Sequence, residues 1–142
     1  MRALLDINVL IALLDTDHVS HQTALSWFVA HAKEGWASCP ITQNGCVRIM
    51  SHPSYPNPLP VQALVKRLAE ACNQPLHEFW ADESSLLDAN AFDAVRIHGP
   101  RQITDVYLLG LAVRHDGVLV TFDGGIPLAA VRNATAKNLL VL

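Results

Sequence analysis

Five short runs with strand character, separated by longer segments of helical spacing, constrain the fold of this chain more than any other feature. The runs are Leu4-Leu5, Trp36-Ala37-Ser38-Cys39, His77-Glu78-Phe79-Trp80, Val118-Leu119-Val120-Thr121 and Leu139-Leu140-Val141-Leu142. Between them apolar residues recur at three- and four-residue steps, as in Ala24, Leu25, Phe28, Val29 and Ala32, or Val61, Leu64, Val65, Leu68 and Cys72. Strands alternating with helices predict an α/β fold, a parallel sheet with helices on both faces. With 142 residues, the chain is expected to form one domain over 1–142. Its residues are 51% hydrophobic and 16% charged, enough for a sizeable core and unlike a disordered chain.

Local signals set the expected boundaries. Val9 to Leu14 is rich in Leu and Ala and reads as a short helix. Ser20 suits an N-cap, and Gly35 stops the helix that follows. Thr42 is expected to cap a helix running to about Met50. Pro53, Pro56, Pro58 and Pro60 mark 51–60 as a loop, with Pro60 near the first turn of the next helix. A helix is expected from Ser84 or Ser85 to about Val95, and another from Ile103 to Arg114, with Gly117 at its C-terminal end.

Composition excludes several classes. A net charge of −3 rules out a polybasic nucleic-acid binder, so any such contact needs a local patch or metal ions. Cys39, Cys46 and Cys72 match no zinc or disulfide pattern and read as small buried hydrophobes in a reducing compartment. The seven histidines are scattered without paired metal spacing. No signal peptide is evident, and no apolar stretch nears the ~20 residues of a membrane span. The expectation is a soluble cytoplasmic protein without membrane contact.

Ligands of open parallel sheets bind beyond the carboxyl ends of the strands. Asp6 follows the first run, Asp123 follows the fourth, and Asp105 lies in the first turn of the helix before that strand. Three carboxylates ~5 Å apart at an effective dielectric of ~20 repel by about 3 kcal/mol per pair. Such a cluster needs a compensating cation or raised pKa values. All-oxygen ligands suit Mg²⁺ or Mn²⁺, which support metal-assisted phosphodiester hydrolysis. The same residues also have a plain reading: Asp123 before Gly124-Gly125 makes a good turn, and Asp105 suits a helix start.

Four segments resemble the motifs of PIN-domain proteins: Leu4 to Leu10, Pro40 to Arg48, Arg101 to Leu108, and Val120 to Asp123. They follow in order along nearly the whole chain, which looks most like the VapC toxins of bacterial toxin–antitoxin pairs. The resemblance implies a three-layer sandwich around a five-stranded parallel sheet and a Mg²⁺-dependent endoribonuclease, with Mn²⁺ able to substitute. It also implies a homodimer and a cognate antitoxin. The metal ligands would fall on Asp6 and Asp105 with Asp123 assisting, supported by Asn8 and Thr121. The second motif commonly carries a glutamate where this sequence has Gln43, which keeps an oxygen ligand but removes a charge. That predicts weaker metal affinity.

Arg48 and Arg101 are expected near the crevice, where they could hold RNA phosphates. Otherwise Arg48 is a structural ion pair and Arg101 part of a solvated loop. Trp27, Phe28, Leu64 and Leu68 read as core, or as part of a dimer or antitoxin groove. Two other functions compete. A phosphatase of the haloacid-dehalogenase type would carry a second acid where Asn8 stands, and no convincing downstream lysine is present. A catalytically weak or inactive PIN-like module that binds RNA or protein is the reading Gln43 favours.

Overall fold

A computed structural model describes residues 1–142. Five parallel strands, β1 (Ala3–Leu5), β2 (Trp36–Ser38), β3 (His77–Phe79), β4 (Val118–Thr121) and β5 (Leu139–Val141), form one sheet in the order β3-β2-β1-β4-β5. Five helices connect them: α1 (Ile7–Leu14), α2 (His21–His31), α3 (Pro40–Met50), α4 (Val61–Cys72) and α5 (Ile103–Arg114). No helix is long and apolar enough to cross a membrane.

The three central strands β2, β1 and β4 are buried on both faces, and their period of two sorts side chains into two cores. Leu4, Ala37 and Leu119 face α5, where Val106, Leu109 and Leu111 meet them. Ala3, Leu5, Trp36 and Val120 face the opposite layer, with Val9 and Leu10 of α1, Cys46 and Met50 of α3, and Leu64 of α4. The result is the expected three-layer sandwich. Leu64 and Leu68 are core, whereas Trp27 and Phe28 are only half-buried. All three cysteines are free, Cys39 and Cys46 buried and Cys72 partly so.

Two local expectations are corrected. The N-cap of α3 is Cys39, with Pro40 in the first turn; Thr42 sits one turn in, where its hydroxyl accepts from the Cys39 N–H at 3.0 Å. Residues 84–95 are not a helix. Ser85 Oγ accepts from Leu87 N–H and Asp88 Oδ1 from Asn90 N–H, turning the chain instead. Only a 3₁₀ turn at Ala94–Arg96 remains. Leu87 and Val95 are exposed, whereas Leu86, Ala91 and Phe92 pack on the core.

Phe92 anchors this segment. It pairs with Val131, is buried, and lies against Gly110 of α5, where an added Cβ would collide with Cε1 and Cζ of its ring. Alanine in place of glycine ordinarily stabilises a helix by roughly 0.5–1 kcal/mol. Here the sign reverses: Gly110→Ala is expected to destabilise by about 1–3 kcal/mol through overpacking. A lower denaturation midpoint at unchanged slope checks it, and a raised midpoint would refute it.

Candidate active site

The strand order reverses between β1 and β4, so the crevice beyond their carboxyl ends is the topological switch point. Leu5 is in register with Val120, which sets Asp6 beside Thr121. Asp6 caps α1: one oxygen accepts from Ile7 N–H at 2.7 Å and the other from the Thr121 hydroxyl at 2.6 Å. The Thr121 oxygen in turn accepts from Asn8 Nδ2 at 3.3 Å and from Asp123 N–H at 3.0 Å. Asn8 closes the ring by accepting from Phe122 N–H. Asp123 Oδ1 accepts from Gly125 N–H at 2.8 Å, so its turn also fixes its carboxylate.

The electrostatics tie Asp105 to this group. Burial raises the Asp6 pKa against the lowering effect of the Thr121 and Ile7 hydrogen bonds, and Asp123 raises it further. Asp105 is pushed up to about 7, first by desolvation, then by the charge of Asp6 and by the adjacent Asp123 carboxyl. A carboxylate at a helix start is normally favoured by the dipole; here burial and two neighbours outweigh it.

None of the three aspartates takes part in any of the five ion pairs of the structure. Their charge is therefore uncompensated by the chain. No three His, Cys, Asp or Glu side chains converge as a ready-made metal cage. An oxygen-only donor set of this kind suits a hydrated hard cation that keeps several waters.

None of the remaining candidates hydrogen-bonds to the three aspartates, and Gln43 and Arg48 line separate clefts. Gln43 Nε2 donates to Ser38 Oγ at 2.9 Å, with Cys72 Sγ beyond it at 3.9 Å. Its amide N–H₂ is thus anchored to β2. Arg48 is exposed and forms no ion pair, lining a cleft with His52, Ser54 and Tyr55. Arg101 is exposed in the 3₁₀ turn Pro100–Gln102 that leads into α5. The sequence reading gave no part to Gln102, whose side chain bridges to the Asp123 turn. The one signal available was its place three residues before Asp105, on the same helix edge.

The PIN domain family profile matches residues 3–132. Over all of both chains, the sequence is 53% identical to Ribonuclease VapC44 of Mycobacterium tuberculosis. It is 41% identical to Ribonuclease VapC39 of the same organism over 127 residues, 89% of this chain and 91% of the relative. The crystal structure of M. tuberculosis VapC20, described as a toxin cleaving the sarcin–ricin loop, superposes with a TM-score of 0.61 at 14% identity. That likeness spans 87% of this chain and 91% of VapC20, and it concerns the fold. By profile and by identity over the full length, this chain belongs to the PIN-domain family and, within it, to the VapC group.

Proposed function

We propose that residues 1–142 act as one metal-dependent endoribonuclease domain, the toxin of a toxin–antitoxin pair. Asp6, Asp105 and Asp123 hold Mg²⁺, with Mn²⁺ as a substitute. The observation that carries this reading is the hydrogen-bond chain Asp6–Thr121–Asp123 at the switch point, with Asp105 near enough for the charges of Asp6 and Asp123 to raise its pKa. Relatives named as ribonucleases, one matching over the full chain length and another over 89% of it, support it. RNA is the substrate, an antitoxin and a second copy are the partners, and the cytoplasm is the place of action.

When bound, the cation supplies Lewis-acid activation of water and of the phosphodiester. The chain's own residues prepare for this. Asp6 is held in one orientation by Ile7 N–H and Thr121, so little reorganisation remains for the reaction. Asn8 and Thr121 lock the β1 and β4 ends together. Asp105, its pKa pushed up to about 7, is partly protonated near neutral pH while the charge is uncompensated, and a cation would favour its ionised form. Arg48 and Arg101, free of ion pairs, are available to RNA phosphates.

The test is cleavage of RNA by the purified chain with Mg²⁺, with Mn²⁺ and with excess chelator. Cleavage that depends on the divalent ion supports the reading; RNA binding without cleavage under all three conditions would replace it with the binding-module alternative.

Gln43 bears on potency. Its Nε2 is committed to Ser38 while no protein donor reaches its Oε1, which leaves an oxygen without a charge. Gln43→Glu is therefore expected to tighten Mg²⁺ binding by roughly tenfold, about 1.4 kcal/mol of added attraction. Equal or weaker affinity in a calorimetric titration would count against it.

A further inference from the structure

Gln102 occupies the N-cap position of α5, yet it makes no capping hydrogen bond. An N-cap side chain ordinarily accepts from the first-turn amides of its own helix. Gln102 instead spends both halves of its amide elsewhere. Oε1 accepts from His98 N–H at 2.8 Å, and Nε2 donates to the Gly125 carbonyl at 3.2 Å. A donor on one side and an acceptor on the other fix which way the amide points.

Gly125 is the residue whose N–H holds Asp123 Oδ1. The same glycine is thus gripped from two sides: its carbonyl by the start of α5 and its amide by the carboxylate of the β4 turn. An unbroken path runs from His98 through Gln102, Gly125, Asp123 and Thr121 to Asp6. Asp105 lies three residues after Gln102 and therefore on the same edge of the helix start. Of the three acids, Asp6 and Asp123 are tied together through Thr121, whereas Asp105 belongs to a different segment. Gln102 ties the backbone of the Asp123 turn to that segment, beside the direct contact between the Asp105 and Asp123 carboxyls.

We infer that Gln102 is a positioning residue that sets the spacing between Asp105 and Asp123 by tying the entry of α5 to the Gly125 carbonyl. It acts through the turn and touches neither substrate nor cation. The inference rests on the proposed metal site for its consequence, but its structural half can be read without metal.

The experiment uses the full chain with Gln102→Ala and Gln102→Glu. The glutamate variant keeps the acceptor for His98 N–H and sets an oxygen against the Gly125 carbonyl, so it too loses the stitch. In metal-free protein, the Gly125 amide is expected to exchange its hydrogen at least about tenfold faster in both variants, because the turn is released. Mg²⁺ affinity is expected to fall by roughly 10–100-fold, the scale for residues that orient ligands. That loss should vanish when Gln102→Ala is added to Asp123→Asn, because the carboxylate charge that Gln102 positions is already gone. The apparent KM for RNA at saturating Mg²⁺ should stay unchanged.

Unaltered Gly125 exchange overturns the inference whatever the metal does. So does an unchanged Mg²⁺ affinity in a variant whose parent binds the ion, or an effect that adds in full to that of Asp123→Asn. A parent chain that binds no divalent ion refutes the proposed function instead, and Gly125 exchange then still decides the role of Gln102.

Discussion

Asp6→Asn is expected to leave the chain folded and to lower RNA cleavage by about 100–1000-fold, the scale for removing one preorganised charge-stabilising group. The fold survives because asparagine has nearly the same shape and can still accept from Ile7 N–H, the bond made at 2.7 Å. The Thr121 hydroxyl loses its charged partner, worth roughly 1.5–3 kcal/mol in a charge-assisted bond. Against that, the variant removes a buried charge that desolvation and Asp123 already oppose. The two contributions act in opposite directions, so the unfolding midpoint should move little. Thr121→Val gives the contrasting result. It removes the donor to Asp6 and the acceptor for Asn8 and Asp123 N–H while keeping every carboxylate. Its expected loss is smaller, about 10–100-fold, with a measurable fall in Mg²⁺ affinity. Cleavage within threefold of the parent by Asp6→Asn, at equal folded fraction, would remove Asp6 from the reaction.

Much of this arrangement was legible because it is written in local signals. Leu4-Leu5 before Asp6, and Val118 to Thr121 before Asp123, are apolar strands ending in an acid, and parallel pairing brings both acids to one edge. Of the expected α4 stripe, Leu64 and Leu68 are core, whereas Val61 and Val65 are exposed. The segment 84–95 failed for a physical reason. Its apolar residues have helical spacing, but Ser85 and Asp88 satisfy nearby amides with their own oxygens. The fold then buries only Phe92 fully, lodged against Gly110 some twenty residues away in sequence, with Leu86 and Ala91 half-buried on the same core. Thr42 shows the same limit on a smaller scale. A threonine before an apolar run looks like a cap, yet Pro40 had already started the helix and moved the cap to Cys39. Gln43 and Gln102 were beyond reach because the partner of a long amide side chain is set by tertiary contacts. Ser38 and Gly125 could not be assigned to them from spacing.

Asp105→Asn should abolish cleavage and yet make the metal-free chain more stable near neutral pH. The sign follows from the direction of the shift. In the unfolded chain the carboxyl titrates near its ordinary value of 3.8, and in the folded chain at about 7. Between those values the folded state holds a proton that the unfolded state has lost. The group's contribution is thus fully present below about pH 4 and disappears as pH rises through about 7. Asp105 is half-buried, so solvent screening reduces the free-energy penalty to the order of 1–2 kcal/mol. Asparagine cannot ionise and escapes that loss. In chelator at about pH 8 the variant should melt higher than the parent by roughly 2–4 °C per kcal/mol relieved, and the gap should narrow on going down to about pH 4–5. Saturating Mg²⁺ should reverse the order. A ligand at a hundred times its dissociation constant stabilises the folded state by about 2.7 kcal/mol, a gain open to the parent and largely closed to the variant. A variant that melts lower than the parent at about pH 8 in chelator would mean that Asp105 sits in a compensated structural pair, and the uncompensated charge on which hydrolysis depends would not exist.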